Sequence, residues 1–70
     1  MGKKLAIPER YDIWQQDLTK SYLCLTFMGF VRTQSEARNM LQVFNCADKK
    51  EVEMGHHAYF FSCGKLKNVD

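Results

Sequence analysis

The chain lacks nearly everything by which a sequence usually announces its chemistry. Seventy residues hold one proline, four glycines and three cysteines, and none of these clusters. The glycines stand alone at positions 2, 29, 55 and 64. That excludes a phosphate-cradling loop and a dinucleotide fingerprint, because both need several glycines within a few residues. No Cys-x-x-Cys occurs. Cys46, His56, His57 and Cys63 carry zinc-binding atoms, but their spacing does not provide the close ligand pairs of structural zinc sites. No metal and no cofactor is therefore expected. An odd cysteine count cannot close into a complete intrachain disulfide framework. Cys24, Cys46 and Cys63 read instead as reduced, buried thiols of a cytosolic protein.

Long apolar runs are missing as well. No window approaches the ~20 apolar residues of a membrane span. After Lys3-Lys4 only Leu5, Ala6 and Ile7 precede Pro8, which is too short for the apolar core of a signal peptide. Gly2 does not fit myristoylation, because Ala6 stands where Ser or Thr is required. A cytoplasmic location without membrane contact follows as the expectation. Nor does charge of one sign accumulate: ten basic and eight acidic side chains leave a net charge of +2. The lysines at 3, 4, 49, 50, 65 and 67 are scattered pairs rather than the basic stripe of a typical nucleic-acid-binding face.

What the chain does have is a hydrophobic fraction of 46%, enough to place it with globular rather than disordered sequences. A chain this short makes one domain and buries only roughly 60% of its unfolded surface, so its stability margin is thin. Pro8 suits a first helical position, and Glu9 and Asp12 suit a first turn. Ile7, Tyr11, Trp14 and Leu18 recur at helical spacing, which predicts a helix from Pro8 to Thr19. From Tyr22 to Val31 charge disappears and aromatic and β-branched residues crowd in, which predicts a strand. Its period of two puts Leu23, Leu25, Phe27, Gly29 and Val31 on one face and Tyr22, Cys24, Thr26, Met28 and Phe30 on the other. Gly29 marks a candidate bulge. Thr33-Gln34-Ser35-Glu36 is a capping box. Ala37, Met40, Leu41 and Phe44 then continue an apolar stripe, broadened by Val43, to about Asn45 or Cys46. Glu51 to Met54 alternates like a strand, Gly55 suits a hairpin, and His57 to Cys63 reads as a last strand ended by Gly64. The expected fold is α+β, a small three-stranded sheet with two helices in the order α-β-α-β-β. A right-handed crossover would join the first two strands if they ran parallel.

Catalytic arrangements are not apparent. His57 and Cys63 share a strand face but stand about 20 Å apart along it. Cys46 sits at the negative end of its helix, which disfavours a thiolate. Glu51 and Glu53 read as a solvated side. No enzyme is expected. What remains is surplus apolar surface: Tyr22, Met28 and Phe30, joined by either Tyr59 and Phe61 or Ala58 and Phe60, unless the first helix covers them. The expected partner-binding residues are Tyr22, Met28, Phe30, Tyr59 and Phe61, with Trp14 as an anchor. They suit a non-catalytic module that regulates or inhibits another protein, such as a phage or mobile-element product acting on a host protein, or one that associates with its own copy. The alternative is a nucleic-acid-binding protein that stacks bases on the same aromatics, with Lys20, Arg32, Lys65 and Lys67 on phosphates.

Overall fold

The computed structural model describes residues 5–69, and side chains from 8 to 64. The elements are β1 (Leu5–Asp17), β2 (Leu25–Val31), α1 (Gln34–Ala47), α2 (Lys49–Glu53) and β3 (His57–Val69). The strands form one antiparallel sheet in the order β2-β1-β3. The α+β class and the three-stranded sheet agree with the sequence reading, whereas the element order is β-β-α-α-β.

The first departure is the segment from Pro8 to Thr19, which lies in a strand and the turn after it. The stripe of Ile7, Tyr11, Trp14 and Leu18 fits a helix, but Tyr11, Ile13 and Trp14 equally suit a pleated surface. Pairing on both edges decides the matter. Pro8 is tolerated because β2 pairs only with Tyr11 to Gln16, so beyond that point β1 has β3 on one side alone. No parallel crossover joins the described strands, since every pairing between them is antiparallel.

The segment from Glu51 to Met54 is the second departure. Four alternating residues are too few to separate the two periods, and Lys49, Lys50, Glu51 and Glu53 are good helix formers. They make the short helix α2, so Glu51 and Glu53 do not share a strand face. Gly55 then closes α2 rather than a hairpin. With φ at 76° it takes the left-handed position, its N–H donates to the Val52 carbonyl, and the His56 N–H donates to the Glu51 carbonyl. These are the paired bonds of a Schellman cap.

Helix α1 forms where its stripe predicts. Thr33 stands at the N-cap with extended backbone, and its hydroxyl oxygen accepts from the Glu36 N–H at 3.1 Å. The same hydroxyl donates to the Glu36 carboxylate at 2.9 Å, in place of the carboxylate reaching the Thr33 amide. Ala37 is fully buried, Met40, Leu41 and Phe44 are half-buried, and Val43 faces outward at 56% exposure. Strand β2 starts at Leu25, so Tyr22 and Leu23 lie in the exposed loop between β1 and β2. Strand β3 runs past Gly64 to Val69. Cys24 is half-buried and Cys46 and Cys63 are exposed, so burial does not protect the latter two thiols.

Both helices lie on one side of the sheet, giving two layers. Phe44 of α1 stacks on Tyr59 of β3 with ring centroids 5.3 Å apart. Ile13 in the central strand and Ala37 on the sheet-facing side of α1 are the only well-buried apolar residues among those described. Among the described residues no helix is long and apolar enough to cross a membrane.

A candidate binding face on the open side of the sheet

Cross-strand register assigns every central side chain to a face. Tyr11, Ile13, Gln15 and Asp17 stand opposite Cys63, Phe61, Tyr59 and His57, and Phe44 packs there, so this side lies under the helices. Asp12, Trp14 and Gln16 stand opposite Ser62, Phe60 and Ala58 on the other side. No element covers that side among the described residues.

A bulge in β2 completes the open side. Ile13 pairs with Gly29 but Trp14 pairs with Phe27, which leaves Met28 without a counterpart. Gly29 sits beside it with φ at 130°, a conformation that side chains disfavour. The extra residue shifts the alternation by one. Val31 and Gly29 follow Tyr11 and Ile13 toward the helices, whereas Leu25 and Phe27 follow Gln16 and Trp14 outward. Phe30, opposite Asp12, also points outward. The expected division of β2 into a Leu25, Phe27 and Val31 face and a Met28 and Phe30 face is therefore corrected. Phe27 and Phe30, three residues apart, share one face.

The open side is consequently aromatic. Phe27 and Phe30 are each 47% exposed and Leu25 38%. Trp14 and Phe60 are half-buried beside them. The Trp14 ring meets Phe27 edge to face at 5.5 Å, and its indole N–H donates to the Ser62 hydroxyl at 2.9 Å. At one end, the Arg10 and Arg32 guanidinium groups lie 4.6 and 5.8 Å from the Phe30 ring centre, within cation–π range. Glu9, Arg10, Phe30 and Arg32 line a shallow cleft there. Beneath it Arg10 Nε lies 3.0 Å from Oδ1 of the buried Asp12. Neither atom makes an aligned hydrogen bond, so the contact is Coulombic.

The residues singled out in the sequence are divided by this arrangement. Trp14 and Phe30 meet on the open side. Met28 occupies the bulge, and Tyr22 projects from the loop at 64% exposure. Tyr59 and Phe61 lie under the helices, so β3 contributes the other pair that the alternation allowed, Ala58 and Phe60. Phe27 was missed as a surface residue because only the bulge turns it outward. Gly29 was the available signal. Of the basic positions, Lys20 lies in the loop beyond the Asp17 end of β1, and Arg32 lies at the opposite end. Lys65 pairs with Arg10 and Lys67 with Ile7 in backbone register, also toward the Arg32 end, and their side chains fall outside those described. The four do not form one rim.

The covered side ends in a polar knot. His57 Nδ1 lies 2.6 Å from the Asp48 carboxylate at the α1–α2 junction, which also accepts from the Tyr59 hydroxyl at 2.8 Å. Gln15 donates to the same hydroxyl at 2.8 Å. The hydrogen bond to Asp48 raises the His57 pKa above its ordinary value. Bonds from His57 and then Tyr59 hold Asp48 below the usual carboxylate range, and burial pushes the Tyr59 phenol up. Asp17 is lowered mainly by the Thr19 hydroxyl, 2.5 Å away. His56 Nδ1 contacts Glu51 at 2.8 Å. Among the described residues no three His, Cys, Asp or Glu side chains converge as metal ligands would.

No family model matches the chain, and comparison with curated proteins and with solved structures returns no match.

Proposed function

We propose that the chain is a non-catalytic protein-interaction module that docks through the open face of its sheet. One observation carries this reading: Phe27 and Phe30, each half exposed, lie on the uncovered face together with Trp14, Phe60 and Leu25. Exposed aromatic clusters of this kind mark interfaces, and arginine with aromatics, rather than lysine, is the composition of their centres. The described charges at the aromatic end, Glu9, Arg10, Asp12 and Arg32, balance as two acids and two bases. That balance favours a protein partner over the phosphates of a nucleic acid, which reward net positive charge.

The test is capture on the immobilised chain of protein from the native host's nuclease-treated lysate, and of untagged copies of the chain, with wild type compared to Phe27→Ser plus Phe30→Ser. Capture that survives nuclease and moderate salt but is lost with the double substitution supports the reading. Capture indifferent to the substitution, or abolished by nuclease, refutes it.

A further inference from the structure

We infer that the occupant of the open face is a second copy of this chain, the two sheets stacking face to face into a helix-sheet-sheet-helix dimer. The inference rests on the reading of that face as a docking surface and supplies its partner.

Two features lead to it. The first is the core. Only Ile13 and Ala37 are well buried among the described residues, so one chain forms half of a core. Sheets pack about 10 Å apart by interdigitating side chains from two inner faces, and Leu25, Phe27, Trp14 and Phe60 are residues of the size that such a layer takes. The second is charge. A face offered to its own copy must not repel itself, and Glu9, Arg10, Asp12 and Arg32 sum to zero. In a twofold dimer the same patch serves both partners, so this neutrality removes the like-charge penalty that a basic or acidic face would carry.

Sedimentation equilibrium on the wild-type chain, with quenching of Trp14 fluorescence by acrylamide across a dilution series, tests the inference. Trp14 is the single tryptophan, so its signal is unambiguous. The expected result is a mass twice 8.2 kDa that halves on dilution, with Trp14 becoming more quenchable as it does. Phe27→Asp should give the single mass at every concentration, as should the milder Leu25→Lys at the margin of the face. The wild-type dilution series stands even if a variant fails to fold. A dimer that leaves Trp14 fully quenchable and survives both substitutions docks by a sheet edge and overturns the inference. A monomer at all concentrations also overturns it. If that monomer still captures host protein through Phe27 and Phe30, the interaction-module reading stands with a different partner. A salt-sensitive complex with a single-stranded oligonucleotide that protects Trp14 overturns both.

Discussion

Replacing Gly64 by alanine should destabilise the fold, and the size of the effect follows from what surrounds it. The β1–β3 register skips Gly64 between the Lys65 and Cys63 pairings, so it is the extra residue of a bulge. The Asp12 carboxyl group fills the space where a side chain would begin: a Cβ built at Gly64 comes within 2.5 Å of Asp12 Cγ, about 1 Å inside ordinary carbon contact. Overpacking of this kind costs roughly 1–3 kcal/mol. Asp12 is only 8% exposed and has Arg10 as its ion partner, so pushing the carboxylate aside adds to the cost. Against this, alanine restricts the unfolded chain and returns about 0.4–1 kcal/mol. The net loss is about 1–3 kcal/mol, and at roughly 4–8 °C per kcal/mol for a domain this small, Tm should fall by about 5–20 °C. Thermal unfolding followed by circular dichroism reads this directly. The control is Gly64→Ala in an Asp12→Ala background, where the clash is gone and Arg10, 37% exposed at its side chain, can turn to water. There the same substitution should be neutral or slightly stabilising. Additive effects of the two changes, or an unchanged Tm for Gly64→Ala alone, would refute the reasoning.

Two further outcomes follow from the helical side. The folded protein holds the His57 proton more tightly than the unfolded chain does, so its bond to Asp48 stabilises the fold fully below the ordinary histidine pKa of about 6.5. That contribution disappears as pH rises through the elevated folded value. Asp48 acts oppositely, stabilising above the ordinary carboxylate pKa and losing its effect as pH falls through its lowered one. The Tm advantage of wild type over His57→Gln should therefore shrink as pH rises above neutrality, and a difference that stays constant there would count against the pairing. Gly55→Ala meets no neighbouring atom, so its cost is that of the left-handed backbone alone, about 1–2 kcal/mol in thermal unfolding. Gly55→Asn should lose less, because asparagine tolerates that region.

Helix α1 and its Thr33 cap were legible because the capping box and the stripe from Ala37 to Phe44 are local signals that agree. The last strand was legible from its aromatic run, although its extension beyond Gly64 was not, since the bulge that carries it past the glycine depends on Asp12 across the ladder. The segment from Pro8 to Thr19 misled because its apolar spacing fits two periods, and the choice between them is made by β2 and β3, far away in sequence. The open aromatic face was half legible. Trp14 and Phe30 were in the expected set, but a strict alternation concealed Phe27 and gave Tyr59 and Phe61 a choice of sides that only the position of α1 resolves.

The bulge at Met28 makes the exposed patch a matter of counting as much as of composition. Pairing Met28 into the ladder in strict alternation would turn Phe27 and Leu25 inward beneath α1 and put Met28 outside beside Phe30, with no amino acid changed. Deleting Met28 would instead abolish the bulge and leave Phe27 opposite Trp14 and Leu25 opposite Gln16, so a chain one residue shorter here would present the same aromatic face. In comparing this protein with others, a gap at Met28 is therefore compatible with a shared binding face, whereas a bulge moved elsewhere in β2 is not.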